Sequence, residues 1–392
     1  MDGIDWSQSK TNSISSASGR LVVDRVRTVQ VRPEVSTKVQ ITALLDLLDL
    51  HLSNIDAGQQ VDPTQVTLRV PTLTSEARGA LGTLVEAFQP STKIHILELD
   101  SEAQWRPAEI GWNPADLAEY ARWPTLLSRS RQVPALVSTI IETADLPGLR
   151  AYPRLSSTNG WSLRLEGLEV GLADAKHAVL KVGKEPKGPA PSHQRSVWVE
   201  STGNTQPLTT NDPLVAAKAI RSFAEAWHGL AETSTDQDEH ALESRILRGA
   251  CAVLIDDHAL TLIKPDSVVN WGSQFPTKWG PGGSPRYLDA LLRDGSTPWA
   301  VEMKVQGGTG VGQYYRHAVA QAVLYREFIR KATPLSPWFE SHGLVATSCR
   351  AAVVVPRVVN STQQHWRDNT ARLCDAFELA LVEVEPEHAL RH

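Results

Sequence analysis

The sequence predicts an α/β protein in two parts, and three observations carry that reading. Between Arg20 and Leu99, short β-branched runs of strand length alternate with longer amphipathic runs. A Pro-, Gly- and Lys-rich stretch, Lys184 to His193, then has the composition of an exposed linker. From Asp238 onwards the order becomes αβββαβ with a further αβ pair. At 392 residues there is room for two or three domains, and 41% hydrophobic with 21% charged residues is ordinary globular usage.

Residues 1–19 are polar and Ser-rich and are expected to be disordered. Residues 20–183 read as an N-terminal α/β domain. Strand Arg20 to Val31, helix Val39 to Leu52, strand Val66 to Val70, helix Ser75 to Phe88 and strand Lys93 to Leu99 give a βαβαβ order that favours a parallel sheet. A helical stretch from Pro114 to Glu142 and a hairpin of Trp161 to Leu172 with Lys176 to Val182 follow. Residues 184–237 are expected to be a linker and connecting helix, with a short strand Ser196 to Glu200 and helix Pro213 to Ala231 behind an Asn211 or Asp212 cap.

Residues 238–392 form the second part. Helix Asp238 to Leu254 precedes a strand at Leu260 to Ile263, a hairpin of Arg286 to Leu292 and Trp299 to Val305, helix Gln313 to Lys331, strand Ala351 to Val355, helix Ser361 to Phe377 and strand Leu379 to Val384. Pro265 to Pro285, with Trp271 and Trp279, stands out as an insertion before the hairpin.

Composition narrows the function classes. A net charge of −5 excludes a generally basic coat, so nucleic-acid binding would need a local patch, for which Arg286, Arg293, Arg316, Arg326 and Arg330 are candidates. Cys251, Cys349 and Cys374 are isolated, which argues against a zinc site or a four-cysteine cluster and fits a reducing compartment. No apolar leader or membrane-length run is evident, and a cytoplasmic location without a membrane partner is the expectation.

The chemistry concentrates in the hairpin. Glu302 and Lys304 share one face of a strand whose other residues, Ala300, Val301, Met303 and Val305, are apolar, and Asp289 lies on the neighbouring strand. Charges in such a place are costly unless compensated, and the hard oxygens of Asp289 and Glu302 suit a divalent ion such as Mg²⁺. A strand-surface ion pair of Glu302 with Lys304 is the competing reading.

An acid, a hairpin spacer and then acid-x-Lys resembles the PD-(D/E)XK nuclease superfamily. Gln321 and Tyr325, four residues apart on one face of the following helix, resemble the QxxxY pair of its RecB-like branch. The resemblance covers residues 238–392 and implies a restriction-endonuclease-like core and a separate N-terminal domain for target selection or sensing. It implies a catalytic set of Asp289, Glu302, Lys304 and Glu243, the last from the preceding helix. Glu239 competes with Glu243 but sits in the acidic first turn, where the helix dipole alone would explain it. Asp289, Glu302, the Met303 carbonyl and Glu243 would hold Mg²⁺, or Mn²⁺ in its place. Gln321, Tyr325, Arg316 and Arg286 would meet the substrate. The implied activity is phosphodiester hydrolysis, in DNA before RNA, in antiviral defence or DNA repair, with self-association or partner proteins of a defence system left open. A nucleotide-sensing effector nuclease and an inactive nucleic-acid-binding scaffold are the alternatives. Gly307 to Gly312 follows a strand and opens a helix, as an anion-binding turn would. Its Gly308-x-Gly310-x-Gly312 spacing also suggests a methyltransferase, but the acids that such enzymes place after neighbouring strands are missing.

Overall fold

Two β-sheets enclose a double layer of helices, and a third sheet flanks them. The structure, a computed structural model, describes residues 18–55, 62–116, 122–128, 132–154, 157, 159–165, 167–183, 193–229, 239–247, 249–263, 274–305, 311–358 and 361–390. The expected disordered start up to Ala17, the linker from Lys184 to Ser192, the polar run before Glu239, Trp271 and the glycines from 307 to 310 lie outside the described residues.

The first sheet has the order β1 (Ser18–Val23), β2 (Val26–Val31), β3 (Gln65–Val70), β4 (Lys93–Leu99), β5 (Trp105–Pro107). β2, β3 and β4 are parallel, with α1 (Thr37–Ile55) and α2 (Ser75–Ala87) as the crossovers that parallel pairing requires. The single strand expected from Arg20 to Val31 is instead an antiparallel hairpin. Asp24 and Arg25 both have positive φ, 49° and 66°, the signature of a two-residue primed turn, here without the usual glycine.

The helix expected from Pro114 to Glu142 is broken. Among the described residues the chain has a 3₁₀ turn at Pro114–Asp116, α3 (Trp123–Ser128) and α4 (Ala135–Ala144). The second sheet is an antiparallel meander of β6 (Leu149–Pro153), β7 (Trp161–Leu165), β8 (Leu168–Ala173), β9 (Ala178–Leu180) and, after α5 (His193–Thr202), β10 (Leu208–Thr210). Residues Ser196 to Glu200, expected as a strand, lie within α5 because Val197 and the Trp198 indole are buried against α6 (Pro213–Gly229), with Trp198 5.9 Å from the ring of Phe223. Tertiary packing overrides the β-branched bias there.

The third sheet follows α7 (Glu239–Leu247) and a short hairpin, β11 (Leu254–Ile255) with β12 (His258–Ala259). β13 (Thr261–Leu262) is an edge strand of this sheet, while β14 (Phe275–Thr277) pairs separately with β15 (Arg286–Leu288). β16 (Ala290–Asp294) and β17 (Thr297–Met303) form the expected hairpin through Gly295, whose φ is +55°. After α8 (Val311–Lys331) and α9 (Ser336–Ser341), β18 (Arg350–Pro356) pairs parallel to β17, and β19 (Ala380–Val384) joins it after α10 (Ser361–Ala376).

The strand expected from Arg286 to Leu292 is thus cut at Asp289, where the chain leaves the β14–β15 ribbon and enters the third sheet. Alternation then sorts the sheet's two faces. Leu291, Ala300, Val353 and Val355 point to α8, while Ala290, Val301, Met303 and Val354 point to α7. α8 is buried on most sides, lying on β17 and β18 and packing against α1, α2 and α10. One apolar cluster therefore runs from Val29 in β2 to Leu379 before β19 and does not divide at residue 183 or 237.

Candidate active site

The break at Asp289 makes the site. Asp289 precedes Ala290, which pairs with Val301, so it continues the line of β16 opposite Glu302 and on the α8 face. Its Oδ2 accepts the Met303 N–H at 2.9 Å, which fixes the carboxylate beside the end of β17. Glu302 is fully buried in β17, between β16 and β18, and neither of its oxygens finds a hydrogen bond of good geometry among the described residues. Lys304 Nζ stands 2.7 Å from Glu302 Oε1 as an ion pair.

Lys304 is the hub of the cluster. Its Nζ donates to the Met303 carbonyl and to Glu239 Oε1, each at 2.9 Å, and lies 4.0 Å from Asp289 Oδ2. Four oxygen-bearing groups thus surround one ammonium. Burial and the Asp289 charge push the Glu302 carboxyl well above the usual range, with Lys304 opposing. Burial lowers the Lys304 ammonium, but Glu302, Asp289 and Glu239 outweigh it and hold the amine charged.

Glu239 therefore takes the place expected of Glu243. One helical turn further on, Glu243 is buried and turns its carboxylate to Gly167 in the β7–β8 turn of the second sheet, where only the missing Cβ leaves room for it. The first-turn position that suggested a mere dipole partner is what brings Glu239 to the lysine.

Gln321 and Tyr325 act as a pair. Gln321 Nε2 donates to the Tyr325 hydroxyl at 3.2 Å, and that hydroxyl donates to the Tyr287 carbonyl at 3.3 Å, two residues before Asp289. Tyr325 is buried, and burial pushes its phenol well up, with the Glu302 and Asp289 charges adding.

The expected arginine patch does not form. Arg316 binds Asp49 through Nε at 2.8 Å and Asp46 at 3.1 Å, both on α1, so it holds two helices together rather than facing a substrate. Arg326 and Arg330 donate to the Phe377 and Cys349 carbonyls, each at 2.7 Å, and Arg293 donates to those of Gly295 and His342. Arg286 alone stays near the acids. It lies 4.5 Å over the Trp279 ring and 3.0 Å from Glu76 at the start of α2. Trp279 is itself buried, with its ring 6.1 Å from both Tyr325 and His317. It is a packing residue, not an open stacking platform.

Among the described residues no three Asp, Glu, His or Cys side chains stand in a ready-made metal cage. The oxygens gathered around the Lys304 ammonium are nevertheless of the hard kind that Mg²⁺ takes. They belong to three carboxylates and a backbone carbonyl, and one of the acids, Glu302, is fully buried. Asp289, Glu302 and the Met303 carbonyl can serve as ligands, with Glu239 in the place assigned to Glu243.

Two residues near the site were not legible in the sequence. His317 lies one helical turn before Gln321, and the Lys38 ammonium in the first turn of α1 is lowered first by burial and then by the Lys304 charge, with Glu239 and Glu302 opposing. Cys251, Cys349 and Cys374 are free and buried, and no helix among the described residues is long and apolar enough to cross a membrane. No family model matches the chain, and neither a curated protein nor a solved structure does.

Proposed function

We propose that this chain is a metal-dependent nuclease of the PD-(D/E)XK kind, with a RecB-like QxxxY helix, that hydrolyses phosphodiester bonds in DNA. The observation that carries this reading is the meeting of Asp289, Glu302, the Met303 carbonyl and Lys304 at the end of a buried strand, with Glu302 fully buried against Lys304 at 2.7 Å. A structural ion pair needs only Glu302 and Lys304, whereas Asp289 and Glu239 also converge on the same ammonium, at 4.0 and 2.9 Å. The third sheet supports the reading, with β13, β16 and β17 antiparallel and β18 parallel to β17 after α8.

Bound between Asp289, Glu302, Glu239 and the Met303 carbonyl, Mg²⁺, or Mn²⁺ in its place, would lower the pKa of a coordinated water and offset charge on the phosphoryl oxygens. Lys304, charged, is suited to donate to the attacking water or a phosphate oxygen rather than to take a proton. Tyr325 and Gln321 fix the Tyr287 carbonyl and with it the backbone leading to Asp289. An inactive scaffold is disfavoured because the signature positions Asp289, Glu302, Lys304, Gln321 and Tyr325 are all filled. Defence or repair is the setting that the resemblance suggests.

The test is a cleavage assay of the purified chain on linear, circular and single-stranded DNA and on RNA, with and without Mg²⁺. Metal-dependent cleavage of at least one DNA form is expected. Cleavage of RNA alone would redirect the substrate, and none on any substrate with Mg²⁺ or Mn²⁺ would remove the reading.

A further inference from the structure

Beside the acid cluster lie basic side chains that it does not use. His317, Gln321 and Tyr325 fall at four-residue steps on one face of α8, so His317 continues the line that ends beside Asp289. It is 7% exposed, its ring lies 6.1 Å from that of Trp279, and its buried Nδ1 meets no donor or acceptor among the described residues. A buried imidazole nitrogen without a partner is costly, and beside charged groups it is a candidate for a ligand's oxygen. Arg286 covers the other part of the Trp279 ring.

The first turn of α1 reaches the same place. Lys38, Thr42 and Asp49 share one stripe of α1, and Asp49 on that stripe grips Arg316, the neighbour of His317. In the same first turn, Thr37 shares a 2.9 Å hydrogen bond with Thr74, and Gln40 donates to the Thr72 carbonyl at 2.9 Å. Two residues beyond Thr74, Glu76 holds Arg286. The turn of α1 that carries Lys38 is therefore fixed beside the segment that holds Arg286, and Lys38 itself is exposed. The electrostatics agree. Burial first, then the charges of Lys38, Lys304 and Arg286, keep His317 neutral.

We propose that Lys38, Arg286 and His317 form the wall that grips the phosphate backbone of DNA opposite Asp289 and Glu302, so that the N-terminal α/β region completes the site. This rests on the nuclease reading. Lys38 and Arg286 pair with phosphates as cations, and neutral His317 donates one N–H to a phosphate oxygen. None of these contacts reads a base, so recognition by this wall is independent of sequence.

The experiment measures DNA binding by fluorescence anisotropy against salt, in the full chain carrying Glu302→Gln so that nothing is cut, alongside cleavage by the otherwise unaltered chain. Lys38→Ala is expected to weaken binding about 5- to 10-fold at 0.1 M salt and to reduce the slope of log K against log salt by about 0.9, the effect of one phosphate contact. Lys38→Arg should restore both. Lys93→Ala, an exposed control on β4, should change neither. His317→Ala should weaken binding about 3- to 10-fold with an unchanged slope, because no charge is lost. Lys38 is exposed, so its variant folds even if His317→Ala does not.

Wild-type cleavage with Lys38→Ala no different from Lys93→Ala overturns the wall and leaves the nuclease reading intact. Binding that depends on Lys38 in a chain that never cleaves supports the wall and removes the enzyme. Wild-type chain that neither binds nor cleaves DNA removes both.

Discussion

The Tyr325 hydroxyl donates to the Tyr287 carbonyl across 3.3 Å, tying the middle of α8 to the strand that ends at Asp289. Both partners of that bond sit behind the acid cluster, so its expected effect is on position, not on metal charge. Tyr325→Phe keeps the buried ring and removes the bond. Stability should fall by about 1 kcal/mol in urea unfolding, and kcat for DNA cleavage by about tenfold with little change in KM. A variant equal to wild type in both measurements would remove the positioning role.

The features readable from sequence were those fixed by local spacing. Glu302 and Lys304 fall two apart in an apolar strand, and Gln321 and Tyr325 four apart in a helix, so period alone put each pair on one face. What sequence could not supply was long-range docking. Whether Glu239 or Glu243 meets Lys304 depends on how α7 crosses the sheet, and Arg316 looks like a surface cation until α1 brings Asp46 and Asp49 against it. The same contact brings Lys38 to the site. The hairpin at Asp24 and Arg25 escaped because a primed turn without glycine carries no strong local mark.

The two helical glutamates should separate cleanly. Glu239→Gln is expected to lower Mg²⁺-dependent cleavage about tenfold or more and to raise the Mg²⁺ concentration needed, with folding retained, because its carboxylate faces Lys304. Glu243→Gln should leave cleavage unchanged and act on stability alone. Mg²⁺ titrations of cleavage, with a thermal melt of each variant, decide it; the opposite pattern would return Glu243 to the site.

Arg316 should behave as a fastener. Arg316→Ala strands the buried carboxylate of Asp49 and is expected to cost about 3–5 kcal/mol in denaturant unfolding. Arg316→Ala together with Asp49→Ala should recover part of that loss, since no charge is then left without its partner. If the single variant is as stable as wild type but binds DNA poorly, Arg316 faces the substrate after all.

His317 gives the fold a pH dependence. Burial, with Lys38, Lys304 and Arg286 nearby, holds its folded-state pKa well below the ordinary value of about 6.5. Below that value the unfolded chain takes up a proton that the folded imidazole refuses, so this contribution is complete above about pH 6.5 and is lost as pH falls. His317→Gln should therefore lose less stability than wild type between pH 7.5 and 5.5. Thermal melts across that range check the difference, and identical slopes for the two proteins would show that His317 titrates normally.

The most direct test of the nuclease reading is Mg²⁺-dependent cleavage by wild type and Glu302→Gln, measured on the wild type's best DNA substrate. The substitution keeps the shape of a fully buried side chain and removes the charge that a metal ligand must supply. Cleavage should fall at least 10²- to 10³-fold. Stability in chelator should hold or rise, because two desolvated acids no longer repel each other beside Lys304. Full activity of Glu302→Gln with Mg²⁺ and with Mn²⁺ would contradict the mechanism, and an unfolded variant would make the Glu302–Lys304 pair structural.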